Sequence, residues 1–183
     1  MSRMSDAATG ETQTVAALHG EAILQEIRAS GISYVLMLPD LHTSQGLIHP
    51  LWKSGHPPII RLAREDEGIG IASGLSFSNK RALLLMQYTG LLDSVNAIRA
   101  VSLDYKLPLA MMVGLLGHDP EKPPHQSPRF GVKVVTPILD ALGVEHHTLY
   151  DDRDLPKIRT AIDRAYDAAV PVAILVARIP VAA

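Results

Sequence analysis

Glu65, Asp66 and Glu67 are consecutive carboxyl groups, placed where the apolar run Pro58–Ala63 gives way to a helical pattern. Carboxyls at such a point have two uses. They complement the positive end of the helix dipole, worth about 0.3–1 kcal/mol each, or one of them is held back to exchange a proton with a ligand. The helix that follows is unusual. Gly68, Gly70, Ala72, Ser73 and Gly74 leave little side chain over two turns, and each glycine costs about 1 kcal/mol relative to alanine. The Gly70-x-x-x-Gly74 spacing predicts a close neighbour: another helix, a second subunit or a bound ring.

A second cluster, Gln87-Tyr88-Thr89-Gly90-Leu91, follows the apolar run Ala82–Gln87. Glycine at a strand-to-helix turn lets a ligand approach the backbone. The chain has neither G-x-G-x-x-G nor G-x-x-x-x-G-K-[ST], so phosphate cradles of those types are not expected. A third cluster lies in Gly117–Gly131 (GHDPEKPPHQSPRFG), a polar, proline-rich loop longer than most connections. It holds His118 and His125, which suit a proton relay, and Arg129, which suits an anionic group. Solvent-exposed loop histidines are the plainer reading of the first two.

The other histidines promise less. His146 and His147 are adjacent near a strand and point to opposite faces, while His42, His49 and His56 lack the spacing and carboxylates of a helical zinc site. No metal site is expected on this chain. Met86, Met111 and Met112 read as core filler, and Asp151-Asp152-Arg153-Asp154 as the capped start of the last long helix.

These clusters hang on a regular frame. A helical pattern from Thr14 ends at Gly31, suited to a C-terminal cap. Apolar strands are expected over 33–38, 58–63, 82–87, 109–116, 145–149 and 172–177. Between them come helices over 47–52, 65–78, 91–103, 136–142 and 154–169. Strands that are continuously apolar and alternate with helices predict a mainly parallel sheet covered on both faces. The expectation is a single doubly wound α/β domain over 14–183, preceded by a disordered leader, 1–13. Ligands then belong at the strands' carboxyl ends: Pro39–Asp40, Arg64–Glu65, Gln87–Gly90 and the loop from Gly117.

Composition bounds the function. Of 183 residues 47% are hydrophobic but only 4% aromatic, so the core must be aliphatic. Seventeen basic against nineteen acidic residues argue against nucleic-acid binding. The absence of cysteine excludes disulfides, thiolate zinc sites and thiol catalysis. No apolar run reaches the length of a membrane span. A soluble, cytoplasmic protein is expected.

Two stretches carry a resemblance: Arg64-Glu65-Asp66-Glu67-Gly68-Ile69-Gly70-Ile71-Ala72-Ser73-Gly74, and Leu85-Met86-Gln87-Tyr88-Thr89-Gly90-Leu91-Leu92-Asp93-Ser94-Val95-Asn96-Ala97-Ile98. Together they resemble the pyrimidine-binding domain of thiamine diphosphate-dependent 2-oxoacid decarboxylases, the sulfopyruvate decarboxylase α subunit and phosphonopyruvate decarboxylase in particular. Looser similarity covers about residues 15–180, including Leu38-Pro39-Asp40 and Thr136-Pro137-x-Leu139-Asp140-Ala141-Leu142-Gly143. The resemblance implies that Glu65, nine residues before Gly74, shares a proton with the cofactor's aminopyrimidine, while Asp66 and Glu67 are helix-start charges. It implies that Pro39, Gln87, Thr89, Gly90 and Leu91 line the pyrimidine pocket. Asp40 matches a position that is polar near substrate in some relatives. Structural readings stand beside these: Pro39 as the end of a strand, and Asp40 as the cap of the next helix.

In that family a second domain, marked by Gly-Asp-Gly and an Asn pair, holds the diphosphate through Mg²⁺. This sequence has no Gly-Asp-Gly. The resemblance therefore implies a β subunit carrying the Mg²⁺ and diphosphate site, a hetero-oligomer, and a small 2-oxoacid substrate such as 3-sulfopyruvate. Where close relatives have Arg-Gly this chain has Leu116-Gly117, which leaves phosphonopyruvate or an uncharged 2-oxoacid open. A carboligase subunit and a non-catalytic regulatory module are the other readings.

Overall fold

The computed structural model describes residues 16–182; the expected leader, 1–13, lies outside them. Six strands form one sheet: β1 (Ile32–Met37), β2 (Ile59–Arg61), β3 (Arg81–Gln87), β4 (Leu109–Gly114), β5 (Glu145–Leu149) and β6 (Pro171–Val176). Their order is β2-β1-β3-β4-β6-β5, and every neighbouring pair is parallel. Sequence dictates the order. β4 and β6 are buried at every position and run inside, whereas β2, with Arg61, and β5, with Glu145, His146 and His147, take the edges.

Helices cover both faces. α1 (Gly20–Ala29), α2 (His49–Ser54) and α8 (Pro156–Ala168) press Leu24, Ile27, Leu51, Ile158 and Ile162 onto Met37, Met112 and Val176. On the other face α3 (Glu65–Ser76), α4 (Tyr88–Asp93) and α7 (Val135–Leu142) bring Ile69, Leu91 and Leu139 onto Leu84, Met111 and Leu175. Full burial of each such side chain is worth about 1.5–3 kcal/mol. α5 (Val95–Ala97) and α6 (Phe130–Lys133) are short. β1 leaves through α2 on one face, and β3 leaves through α4 on the other. The chain thus diverges between adjacent strands, and such a switch point opens a ligand crevice at their carboxyl ends. Pro39–Asp40 and Gln87–Gly90 flank it.

Several boundaries differ from expectation. The helix expected over 91–103 starts three residues earlier, since Gln87 is extended (φ −85, ψ 160) and Tyr88 already helical. It breaks at Ser94 and then widens into a π-type segment, Ile98–Leu103. A second π-type turn, Ser44–Ile48, precedes α2; the Leu47 and Ile48 N–H groups both donate to Thr43 O, at 2.9 and 3.1 Å. The expected start of the last helix at Asp154 moves to Pro156, whose ring fixes a first-turn φ and whose missing N–H costs nothing there. The close neighbour expected at Gly70 and Gly74 is absent among the described residues: nothing lies within 4 Å of where their Cβ atoms would be. Gly68 makes the close approach instead, against Leu84 and Leu62, because it shares the inward side of α3 with Ile69 and Ala72. No described helix is long and apolar enough to cross a membrane.

Candidate functional site

α3 opens at the carboxyl end of β2, and its acids divide their labour. Arg64 is extended (φ −144, ψ 151) and turns its guanidinium onto Asp66, with Nε–Oδ1 and Nη2–Oδ2 both 3.1 Å. Glu67 Oε2 accepts the backbone N–H of Ala63 at 3.0 Å. Glu65 has no hydrogen bond or ion pair among the described residues. Its half-buried carboxyl lies on Gly90, where a Cβ would stand 2.5 Å from both Cδ and Oε1. Gly90, in the first turn of α4, is therefore required by the glutamate itself. The two quoted sequence stretches meet at this contact.

The neighbours of Gly90 take distinct places. Gln87 Nε2 donates to Thr89 Oγ1 at 3.4 Å, at the exposed rim. Leu91 is fully buried in the sheet-side core, so its side chain anchors α4 instead of facing the crevice. Tyr88 lays its ring over Gly131, whose Cβ would stand 2.5 Å from Cε2, and this ties α4 to the end of the long loop. Pro39 is exposed beside the switch point.

Across that point the chain after β1 folds around Asp40. Its buried carboxylate accepts the N–H groups of His42 (2.7 Å) and Thr43 (2.8 Å) and the Thr43 hydroxyl (2.6 Å). Asp40 is thus taken up in shaping the entry to the π-type turn. It drives His42 inward against Gly114, with 3.0 Å between His42 Cβ and a Cβ placed on that glycine. Among the described residues neither ring nitrogen of His42 has a hydrogen-bond partner. His118, expected in an exposed loop, is buried as well: it donates from Nε2 to Lys122 O at 2.9 Å, and Nδ1 has no partner among the described residues. The loop curls back so that the imidazole closes its own turn. Burial holds both imidazoles below the usual histidine value of 6.5, disfavouring the charged form.

The rest of the Gly117–Gly131 loop is exposed at His125 and Arg129. Lys122 pairs with Asp119 at 3.2 Å, and Glu121 with Arg178 at 2.6 Å. Arg129 has no such partner among the described residues; its guanidinium lies on Gly117, whose φ is +74. Glu65, His42, Tyr88 and Arg129 thus each rest on a glycine: Gly90, Gly114, Gly131 and Gly117. The sequence assigns no role of their own to His42, weighed only as a zinc ligand, or to Tyr88, one member of the Gln87–Leu91 cluster. The glycine ending β4 was the one available signal for the former. His146 and His147 are half-buried and bonded to Asp140 (3.0 Å) and Glu145 (2.9 Å). Among the described residues no three His, Asp or Glu side chains converge as metal ligands.

No protein-family model matches the chain. Individual proteins do. It is 33% identical to sulfopyruvate decarboxylase subunit alpha of Methanococcus maripaludis over 110 residues, 59% of this chain and 64% of that subunit. This chain resembles sulfopyruvate decarboxylase α subunits. The similarity to the same-named subunit of Methanocaldococcus jannaschii is 24% over 155 residues, 84% of this chain and 90% of the subunit. Against sulfopyruvate decarboxylase of Methanosarcina acetivorans it is 27% over 151 residues, which span 82% of this chain and 38% of that protein. The chain thus spans just under two thirds of the Methanococcus maripaludis subunit.

Proposed function

We propose that residues 14–183 are the pyrimidine-binding domain of a thiamine diphosphate-dependent decarboxylase, and that this chain is its α subunit. The substrate is 3-sulfopyruvate, and the products are sulfoacetaldehyde and carbon dioxide, formed in the cytoplasm. A β subunit supplies the diphosphate and Mg²⁺ site, and the two chains form a hetero-oligomer with the active site between them.

The observation that carries this reading is Glu65. Of the three acids at the start of α3, two serve the chain's own backbone or side chains, and the third rests on a glycine with no partner among the described residues. A half-buried carboxyl with no partner among the described residues suits a ligand that brings the partner, such as the ring nitrogen of an aminopyrimidine. Bound thiamine diphosphate would supply an electron sink for the pair released as carbon dioxide leaves. The chain's own part is to hold and pass protons. Glu65 shares one with the pyrimidine ring, and Gly90 keeps the carboxyl from folding away. Gln87 and Thr89 offer polar contacts at the rim, and Pro39 closes the crevice on the β1 side. Leu91 contributes through the position of α4. Arg129 lies beside the substrate, while His118 and His125 are placed on the loop that would cover it. Asp40 acts through the turn that it holds.

Co-expression with a candidate β subunit, then assay of 3-sulfopyruvate with and without cofactor and Mg²⁺, tests the proposal. Cofactor-dependent release of carbon dioxide by the complex, with none by the single chain, is expected. A chain that co-purifies with no diphosphate-binding partner and turns over nothing would be a regulatory module instead.

A further inference from the structure

We infer that Arg129, seated on Gly117, selects substrates with an anionic tail on C3; this rests on the decarboxylase reading above. The loop consumes its other strong cation, since Lys122 is paired with Asp119, and the neighbouring Arg178 is paired with Glu121 and Tyr150 O. Arg129 is the exception. Among the described residues its guanidinium meets no carboxylate and no carbonyl, so its donors are unspent.

An unspent arginine on a surface is ordinarily a mobile one. Arg129 is held. Its guanidinium crosses the α-carbon of Gly117, where a Cβ would stand 2.5 Å from Cζ. Gly117 also has a φ of +74, a conformation that side-chain-bearing residues rarely adopt. The glycine is needed twice, once for its own backbone and once for the arginine. Pre-positioning removes part of the rotamer entropy that binding an anion would otherwise cost a free arginine. Leu116, next to the seat, brings no charge, so the cation at Gly117 comes from the far end of the loop.

Place completes the argument. Gly117 lies three residues beyond the carboxyl end of β4. Two residues after Arg129, Gly131 receives the ring of Tyr88, which joins the loop to the turn that carries Gly90 and Glu65. Arg129 therefore shares the sheet edge with the candidate proton-sharing carboxyl. Its planar fork matches the paired oxygens of a sulfonate, phosphonate or carboxylate in two-point hydrogen bonding.

The test uses the co-purified complex and compares kcat/KM for 3-sulfopyruvate, 3-phosphonopyruvate and pyruvate. In Arg129→Met the preference for the charged substrates over pyruvate should fall about tenfold to a hundredfold, through KM. Arg129→Lys should fall between. Gly117→Ala, which leaves Arg129 in the sequence but pushes it off its seat, should shift the preference the same way. Methanesulfonate should inhibit pyruvate turnover in the native complex and much less in Arg129→Met. If the native complex decarboxylates 3-sulfopyruvate and Arg129→Met keeps the preference within threefold, the inference is overturned while the decarboxylase reading stands. A native complex inactive on all three substrates would overturn both. The relative rates on sulfonate and phosphonate say which tail the fork serves.

Discussion

Helices α3 and α8 both begin among acidic residues, and they use them differently. At α8 every carboxylate has work within the chain. Asp151 accepts from Arg153 through N and Nε, both at 2.9 Å, and Nη2 at 2.5 Å. Asp152 accepts the backbone N–H of His19 at 2.8 Å and pairs with its ring. Asp154 accepts from Tyr150 N at 2.7 Å and pairs with Lys157, also at 2.7 Å. At α3 Asp66 and Glu67 are occupied in the same way, but Glu65 is not, and a glycine has been kept across from it. Acid at a helix start is thus an ordinary structural device, and its presence says little. The carboxyl left over after the local donors are assigned is the informative one.

The difference can be broken from the glycine side. Gly90→Ala puts a methyl group into the space of the Glu65 carboxyl. Turnover by the co-purified complex should fall by about a hundredfold or more, the scale of a lost general acid–base group. The fold should survive, as checked by circular dichroism. Retention of native turnover would mean that the seat is not what places the carboxyl.

A second group without a partner among the described residues sharpens the contrast through pH. The buried imidazole of His42, beside Asp40 and His118, has its pKa depressed chiefly by burial. Folding then favours the neutral ring, so stability is full above the ordinary value of 6.5 and is lost as pH falls below it, because the unfolded chain takes up a proton that the folded one resists. The loss approaches about 1.4 kcal/mol per pH unit for one such group. Urea unfolding of His42→Leu should be flatter than the native chain between pH 6.5 and 5; an unchanged slope would remove His42 from the account.

Legibility followed the same division. Periodicity gave the strands and the parallel sheet because inner strands such as β4 and β6 are apolar at every position. It missed the π-type segments at 44–48 and 98–103, which arise from how a turn shares carbonyl oxygens and have no signature in residue type. Glu65 was visible through its motif. The glycine seats were not: Gly114 and His42 are far apart in sequence, as are Gly117 and Arg129 from any local pattern, and only the fold brings them together. Gly70 and Gly74 face outward, because Gly68, Ile69 and Ala72 set the helix phase, so the described residues supply no neighbour of the kind their spacing predicts.

The smallest expected effects lie among the partnered acids. Asp66→Asn weakens an exposed pair and should cost about 0.5 kcal/mol or less. Asp151→Asn should cost more, since that carboxyl is buried and receives several donors. The paired guanidinium of Arg153 holds the Asp151 carboxyl down at about 2, so its contribution is full above 3.8 and disappears as pH falls from there to about 2. The acid limb of native stability should lose that portion in Asp151→Asn. Thermal melts from pH 2 to 7 would show both, and equal effects of the two changes would erase the distinction between the helix starts.

The most direct measurement is turnover by the complex carrying Glu65→Gln, at native assembly and native melting temperature. A carboxyl reserved for a ligand predicts a loss of about 10²–10⁴-fold with stability nearly unchanged, since the side chain has no partner among the described residues. Turnover within a few-fold of native would contradict the assignment of Glu65 and, with it, the reading of this edge of the sheet as the proton-sharing half of an active site.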